Sequence, residues 1–147
     1  MLTLDTDVLV HWVNADCEHH EAVVAMIAEH VGNADEQLAL VPQVCWEFLH
    51  VATDARRFDR PLTMQQAIGR VRAWWDAPET ARITHDASLL HRTLELMESH
   101  ALGRKRILDC VLAASLEGAG IRRLATLNGA DFGVFGFLEI VDPRRVG

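Results

Sequence analysis

The chain has 147 residues, half of them hydrophobic, which is enough for one core and predicts a single domain over residues 1–147. Its net charge of −7 argues against a protein that coats nucleic acid in general, because such proteins are usually basic. No apolar run approaches the ~20 residues that span a bilayer, and the start resembles no signal peptide. The three scattered cysteines form no CxxC pair, which indicates a reduced, cytoplasmic protein.

Short apolar strands alternate with helices along the chain. Strands are predicted over residues 2–4, 38–41, 82–84, 121–125 and 137–141. Helices are predicted over residues 8–13, 18–31, 43–55, 64–75 (with Thr63 as N-cap), 86–100 and 107–119. This alternation predicts an α/β fold in which a parallel central sheet of about five short strands is flanked by helices (α/β/α).

Polar side chains follow two of the predicted strands. Asp5 and Asp7 come directly after the first strand, and Asn128 and Asp131 come after the fourth. Ligands of open parallel sheets gather at the carboxyl ends of the strands, so these side chains are expected at one shared site. Taken alone, Asp131 is also explained as a turn or helix cap.

Two further carboxylates fall on helix faces that are otherwise apolar. Glu47 lies within the stripe formed by Val44, Phe48, Val51 and Ala55. Two structural explanations remain open for it, namely a side chain that reaches solvent and a salt bridge with an arginine. A carboxylate on an apolar face is nevertheless more informative than an exposed apolar residue.

The second of these carboxylates is Asp109. It shares a helix face with Leu112, Ala113 and Leu116. It also lies near the start of its helix, where an aspartate is a common structural cap.

Together, Asp5, Glu47, Asp109 and Asp131 are candidates for one acidic site. Carboxylates that converge without cations repel each other, and Lys105 is the only lysine of the chain. A hard divalent ion with oxygen ligands, Mg²⁺ or Mn²⁺, is the usual remedy. The sequence therefore predicts a metal site, provided that the predicted fold brings these residues together.

The chain resembles the PIN-domain ribonucleases, and among them the VapC-like toxins of bacterial toxin–antitoxin pairs. The resemblance rests on LDTDVLV, PQVCWEFLHV, ILDCVLAASLEGAG, ATLNGADFGVF and LEIVDP, which occur in the family's order over essentially the whole chain. It implies an endoribonuclease that needs Mg²⁺ or Mn²⁺ and cleaves RNA by water attack on a phosphodiester. It also implies a cognate antitoxin as partner and a homodimer or a toxin–antitoxin hetero-oligomer. No membrane association is expected, because no apolar run is long enough to span a bilayer.

The resemblance also assigns roles to residues. The catalytic, metal-holding acids map onto Asp5, Glu47, Asp109 and a fourth position in TLNGADF, which is either Asn128 or Asp131. Many relatives carry Asp at the position of Asn128 and Asn at that of Asp7. Supporting roles fall to Thr6, Asp7 and Thr126, which would orient the carboxylates and waters.

The remaining expectations concern the RNA, the dimer and the rival functions. Arg104, Arg106 and Arg122 are candidates for holding flanking phosphates. The helices over 44–55 and 64–75 are candidate dimer surfaces. A catalytically inactive PIN-like module that binds RNA or protein is the main alternative, and Asn128 is its support. A receiver-type signalling domain fits poorly, because Lys105 precedes a helix rather than following a late strand.

Overall fold

The protein is described from a computed structural model, which covers residues 1–32 and 36–145. The strands are β1 (Leu2–Leu4), β2 (Leu38–Leu40), β3 (Ala81–Arg82), β4 (Arg123–Ala125) and β5 (Glu139–Val141). The helices are α1 (Thr6–Val13), α2 (His20–Gly32), α3 (Pro42–Ala52), α4 (Met64–Asp76), α5 (Ser88–Ser99), α6 (Ile107–Gly118) and α7 (Gly129–Phe132). Short 3-10 turns span Arg104–Arg106 and Pro143–Arg145.

The five strands form one parallel sheet in the order β3-β2-β1-β4-β5, which confirms the predicted fold class. The chain moves outward from β1 to β2 and β3, and then crosses back to place β4 on the other side of β1. This reversal leaves a crevice at the carboxyl ends of β1 and β4, the position where open parallel sheets bind ligands.

Apolar side chains on both faces of the short strands form the core. Leu2, Leu4 and Leu124 are fully buried, which is expected of parallel strands covered by helices on both sides. Trp74 of α4 stacks on Trp12 of α1, with ring centroids 5.4 Å apart. The tryptophan therefore joins two helices of the core and holds α4 against the domain.

Several predicted boundaries are wrong by a few residues for local reasons. The helix predicted over 43–55 ends at Ala52, because the Asp54 carboxylate accepts the Arg56 backbone N–H at 2.9 Å and turns the chain. Ala55 is exposed beyond that end and is not part of the buried stripe. The helix predicted from residue 86 begins at Ser88, whose backbone N–H donates to the Asp86 carboxylate at 2.8 Å.

The bounds of β1 and the start of α4 are as predicted, the ends of most other elements differ by one to three residues, and one helix was not predicted. Thr63 begins α4 through a capping box with Gln66, as expected. The sequence did not predict α7, which is only one turn long. None of the helices within the described ranges is both long and apolar enough to span a bilayer.

Candidate active site

Asp5 lies in the crevice between β1 and β4, directly after the last residue of β1. It is the N-cap of α1, and its Oδ1 accepts the Thr6 backbone N–H at 2.8 Å. Its Oδ2 accepts the Thr126 hydroxyl at 2.8 Å, and its backbone N–H donates to the carbonyl of Ala125 at 2.9 Å. The carboxylate is thus fixed by both central strands of the sheet.

Glu47 reaches the same crevice from α3. Its Oε2 accepts the Thr6 hydroxyl at 3.2 Å, so one threonine holds two predicted acids in register. Its Oε1 accepts the Gln43 side-chain N–H at 2.7 Å. Gln43 also donates to the carbonyl of Leu108 at 2.8 Å, which connects α3 with the start of α6. Gln43 was not predicted from the sequence, although it lies one helical turn before Glu47.

Asp109 lies in the first turn of α6, and an arginine separates it from Asp131. The Arg106 Nε donates to Asp109 Oδ2 at 3.0 Å. The same guanidinium donates to the backbone carbonyl of Asp131, and its Nη1 lies 3.9 Å from Asp131 Oδ1. The expectation that the acids lack a cation is therefore wrong at this position, because Arg106 occupies it.

Asp7 and Asn128 bind each other across the crevice. The Asn128 Nδ2 donates to Asp7 Oδ2 at 2.9 Å, and the Leu127 backbone N–H donates to the same oxygen at 3.2 Å. The Asn128 backbone N–H donates to the Thr126 hydroxyl at 3.0 Å. Asp7 therefore fixes the loop after β4. Thr126, which accepts a hydrogen bond from that loop, in turn orients the Asp5 carboxylate through its hydroxyl.

These contacts leave an excess of negative charge at the carboxyl end of the sheet. Burial, and then the neighbouring Asp7, raise the pKa of Asp5 to about 7, although hydrogen bonds from Thr126 and Thr6 oppose the shift. Burial raises the pKa of Asp7 to about 6. Burial also raises the pKa of Asp109, against the opposing effect of Arg106. Carboxylates that are costly to ionise in a cleft are typical of functional sites.

The donor chemistry of this site suits a hard divalent cation. Carboxylate oxygens are the ligands that Mg²⁺ and Mn²⁺ prefer, and Asp7 Oδ1 is a buried carboxylate oxygen without a hydrogen-bond partner among the described residues. Within residues 1–32 and 36–145, no three His, Cys, Asp or Glu side chains are already arranged to hold a metal ion. The donors therefore fit such an ion in type and charge, whereas Asp109 is turned toward Arg106.

The structure separates the three predicted phosphate-binding arginines. Arg104 is exposed at the start of its 3-10 turn, before the acids of α6. Arg122 precedes β4, at the amino end of the sheet, which is opposite to Asp5. Arg122 therefore does not lie beside the acids, because strand β4 separates it from the crevice, and its role in holding a phosphate stays a prediction.

Two arginines at the carboxyl end of the sheet were not predicted from the sequence. Arg144 and Arg145 line a cleft of about 710 Å³ together with Asn128, Gly129 and Asp131. Arg144 is held by Asp142 at 2.8 Å and by the carbonyl of Leu127 at 3.2 Å. They follow β5 in the segment VDPRR, so their position after a strand was the available signal.

Comparisons with known proteins agree with this fold. Ribonuclease VapC24 of Mycobacterium tuberculosis is 29% identical over an alignment of 149 positions, which covers 97% of both chains. The crystal structure of M. tuberculosis VapC20, a sarcin–ricin-loop-cleaving toxin, superposes with a TM-score of 0.74 at 18% identity, covering 95% of this chain and 98% of that one. A toxin–antitoxin complex from Klebsiella pneumoniae gives a TM-score of 0.66 at 14% identity, covering 99% and 100%.

The family assignment follows from a match to the sequence profile of the PIN domain, which spans residues 2–137. The match contains every acid of the crevice from Asp5 to Asp131. Because it covers most of the chain, the protein belongs to the PIN-domain family, whose VapC ribonucleases it resembles in sequence and fold.

Proposed function

We propose that this protein is a Mg²⁺- or Mn²⁺-dependent endoribonuclease and the toxin of a toxin–antitoxin pair, with Asp5, Glu47, Asp109 and Asp131 as its acidic site. The observation that carries the proposal is the position of Asp5, a carboxylate in the β1–β4 crevice whose pKa rises to about 7 through burial and the neighbouring Asp7, with Asp109 adding to the shift. Membership of the PIN-domain family supports it independently.

In this proposal Asp5 and Asp109 hold the metal ion, and Glu47 and Asp131 bind it directly or through water. When bound, the ion polarises the scissile phosphate and lowers the pKa of a water ligand. Thr6 and Thr126 keep the carboxylate of Asp5 in one orientation through the hydrogen bonds described above. One carboxylate of the site accepts the proton of the attacking water, which makes in-line attack possible at neutral pH.

The reaction divides RNA into fragments with a 5′-phosphate and a 3′-hydroxyl, as the resemblance implies. Flanking phosphates need cations outside the acidic site, and arginine suits them because its planar fork binds phosphate with two hydrogen bonds. Arg104, Arg144 and Arg145 are the arginines that we assign to this role. Arg144 and Arg145 line the cleft beside Asn128 and Asp131. Arg104 is exposed in the turn before α6, and these positions support the assignment.

A small antitoxin is the partner in this proposal, because the complex from K. pneumoniae shares the fold. Homodimers through α3 or α4 stay a prediction, and the exposed Trp46, Met64 and Ile68 support those surfaces. A cytoplasmic location is also part of the proposal. It is supported by Cys17, Cys45 and Cys110, which are all free thiols.

The first experiment incubates purified protein, freed of any partner, with total RNA in the presence and absence of Mg²⁺ or Mn²⁺. We expect discrete cleavage that needs the metal and is absent in Asp109→Asn. The matched control is Asp16→Asn, an exposed aspartate beyond the far end of α1, which should cleave like the wild type. An unchanged cleavage rate in Asp109→Asn contradicts the site, and intact metal binding without any cleavage favours the alternative of an inactive binding module.

A further inference from the structure

Arg106 is the cation closest to the acids that α6 and α7 contribute to the site. It is the last residue of the 3-10 turn before α6, and only 25% of its side chain is exposed. Its guanidinium uses Nε for Asp109 and another nitrogen for the Asp131 carbonyl. The group is therefore held by two separate segments of the acidic site.

The two cations next to Arg106 behave differently. Arg104 and Lys105 belong to the same turn but are exposed, and within the described residues neither forms an ion pair. General attraction between a basic segment and an acidic surface would involve all three cations of the turn. Because only Arg106 contacts the acids, its contacts depend on its position. Arg104 consequently provides a matched control for Arg106.

The contact with Asp109 has a consequence for metal binding. Asp109 Oδ2 accepts the Arg106 Nε–H, so one oxygen of a proposed metal ligand is already committed to a cation. A guanidinium and a divalent ion on the same carboxylate repel each other strongly at such short range. Metal binding through this oxygen thus requires Arg106 to leave.

We propose that Arg106 competes with the divalent ion for Asp109 and Asp131, and that its displacement is the step that couples metal binding to RNA binding. This inference rests on the proposed function, since it concerns the metal of that same site. The released guanidinium is then available for a phosphate of the RNA, the other anion that its planar fork suits. In this proposal Arg106 is a positioning residue: it orients Asp109 in the metal-free protein and moves away when the metal ion binds.

The test is a titration of the free protein with Mn²⁺, followed by electron paramagnetic resonance, which measures bound metal without RNA or turnover. We expect Arg106→Ala to bind Mn²⁺ roughly fivefold more tightly than the wild type, as expected when a partly exposed ion pair no longer opposes binding. Arg106→Gln, which keeps a donor for the Asp131 carbonyl, should show the same direction. Arg104→Ala should bind like the wild type, and thermal unfolding verifies that each variant is folded.

A second measurement follows the side chain itself. In the wild type, adding diamagnetic Mg²⁺ should shift the Arg106 Nε–H resonance away from its hydrogen-bonded position. With Mg²⁺ present, Arg106→Ala should bind a non-cleavable RNA analogue more weakly than Lys105→Ala, which removes an exposed charge of the same turn that has no assigned role in RNA binding.

The outcomes separate this inference from the proposed function. Equal Mn²⁺ affinity in the wild type and both Arg106 variants would overturn the competition while leaving the metal-dependent nuclease intact. An Arg106 resonance that Mg²⁺ leaves in place would also overturn it. Absence of Mn²⁺ binding in all the proteins, with their folds intact, would overturn the proposed function and this inference together.

Discussion

Both ends of the sheet carry acidic and basic side chains, but the buried carboxylates are all paired with cations at one end only. At the amino end, the Glu36 carboxylate binds Arg123 and His30, and Arg123 also contacts Glu139 at 3.2 Å. At the carboxyl end, Asp5 and Asp7 are bound by hydroxyl and amide donors, and the arginines lie on Asp109 and Asp142. The amino end therefore balances its charge, whereas the carboxyl end does not.

The pKa values show what this difference means. Burial raises the pKa of both Glu36 and Asp5, but the hydrogen bonds from Arg123 and His30 bring the pKa of Glu36 below its ordinary value. Asp5 has no such partner, and its pKa rises to about 7. Ionised Glu36 therefore stabilises the fold, while ionised Asp5 destabilises it. Retaining destabilising charge in a cleft is typical of a functional site.

Among the substitutions at the two ends of the sheet, Asp5→Asn should have the largest effect on activity and on stability. We expect RNA cleavage to fall on the order of a thousandfold, because a proposed metal ligand and its charge are lost. The free energy of unfolding of the metal-free protein should rise at the same time, by roughly 1–3 kcal/mol at pH 8. Cleavage assays and chemical denaturation check the two effects, and Asp16→Asn, which removes a surface charge paired with Arg60, should leave cleavage unchanged. A variant that is both inactive and less stable would show that Asp5 has a structural role.

The two ends of the sheet should also differ in how the free energy of unfolding depends on pH. Asp5 has a folded-state pKa of about 7 against an ordinary value of 3.8, so the folded protein keeps a proton that the unfolded chain has released. Its contribution therefore makes the metal-free protein less stable as the pH rises through that window. The gap in unfolding free energy between Asp5→Asn and the wild type should widen from pH 4 to pH 7. A constant gap would contradict the raised pKa.

Glu36→Gln should produce the opposite result at the amino end of the sheet. We expect a loss of about 1 kcal/mol of stability, since Arg123 loses a charged partner that is only 15% exposed. Cleavage should stay at the wild-type rate, because β2 and β4 separate Glu36 from the crevice. The lowered pKa also fixes the sign: the pair's contribution is present above the ordinary pKa of glutamate and is lost as the pH falls. A measured loss of activity would mean that the two ends are coupled.

The sequence predicted the parts of the site that local patterns determine. Asp5 was found because a carboxylate directly follows a buried strand, and Glu47 because it interrupts an apolar helix face. The alternation of strands and helices predicted the parallel sheet for the same reason, since each element carries its own periodicity. For these residues, the sequence pattern therefore gave the position within a single strand or helix.

The contacts that the sequence did not predict join distant segments. Arg106 and Asp131 are 25 residues apart, and Asp7 and Asn128 are 121 residues apart. Periodicity carries no information on which side chains meet across such distances, so the contacts of Arg106 with Asp109 and Asp131 were not predicted and Arg144 was missed. The expectation that Arg122 lies near the acids has the same origin. Arg122 directly precedes β4, and only the assembled sheet shows that this position is at the end opposite to Asp5.

Arg145→Ala should give the smallest effect, a small loss of RNA affinity that tests whether the arginines of the cleft hold phosphates. Arg145 is 86% exposed, and its Nε lies 3.6 Å from Asp142, so the fold should not depend on it. If it holds one phosphate of the RNA, affinity should fall about twofold to threefold, and the salt dependence of binding should lose roughly one charge. Binding to a non-cleavable RNA analogue at several salt concentrations measures both quantities. Arg57→Ala is the matched control, because Arg57 is exposed and pairs with Asp54 at the same 3.6 Å distance in a loop outside the cleft. An equal loss in both variants would mean that RNA responds to the overall charge of the protein, and the cleft beside Asn128 would then hold no specific phosphate.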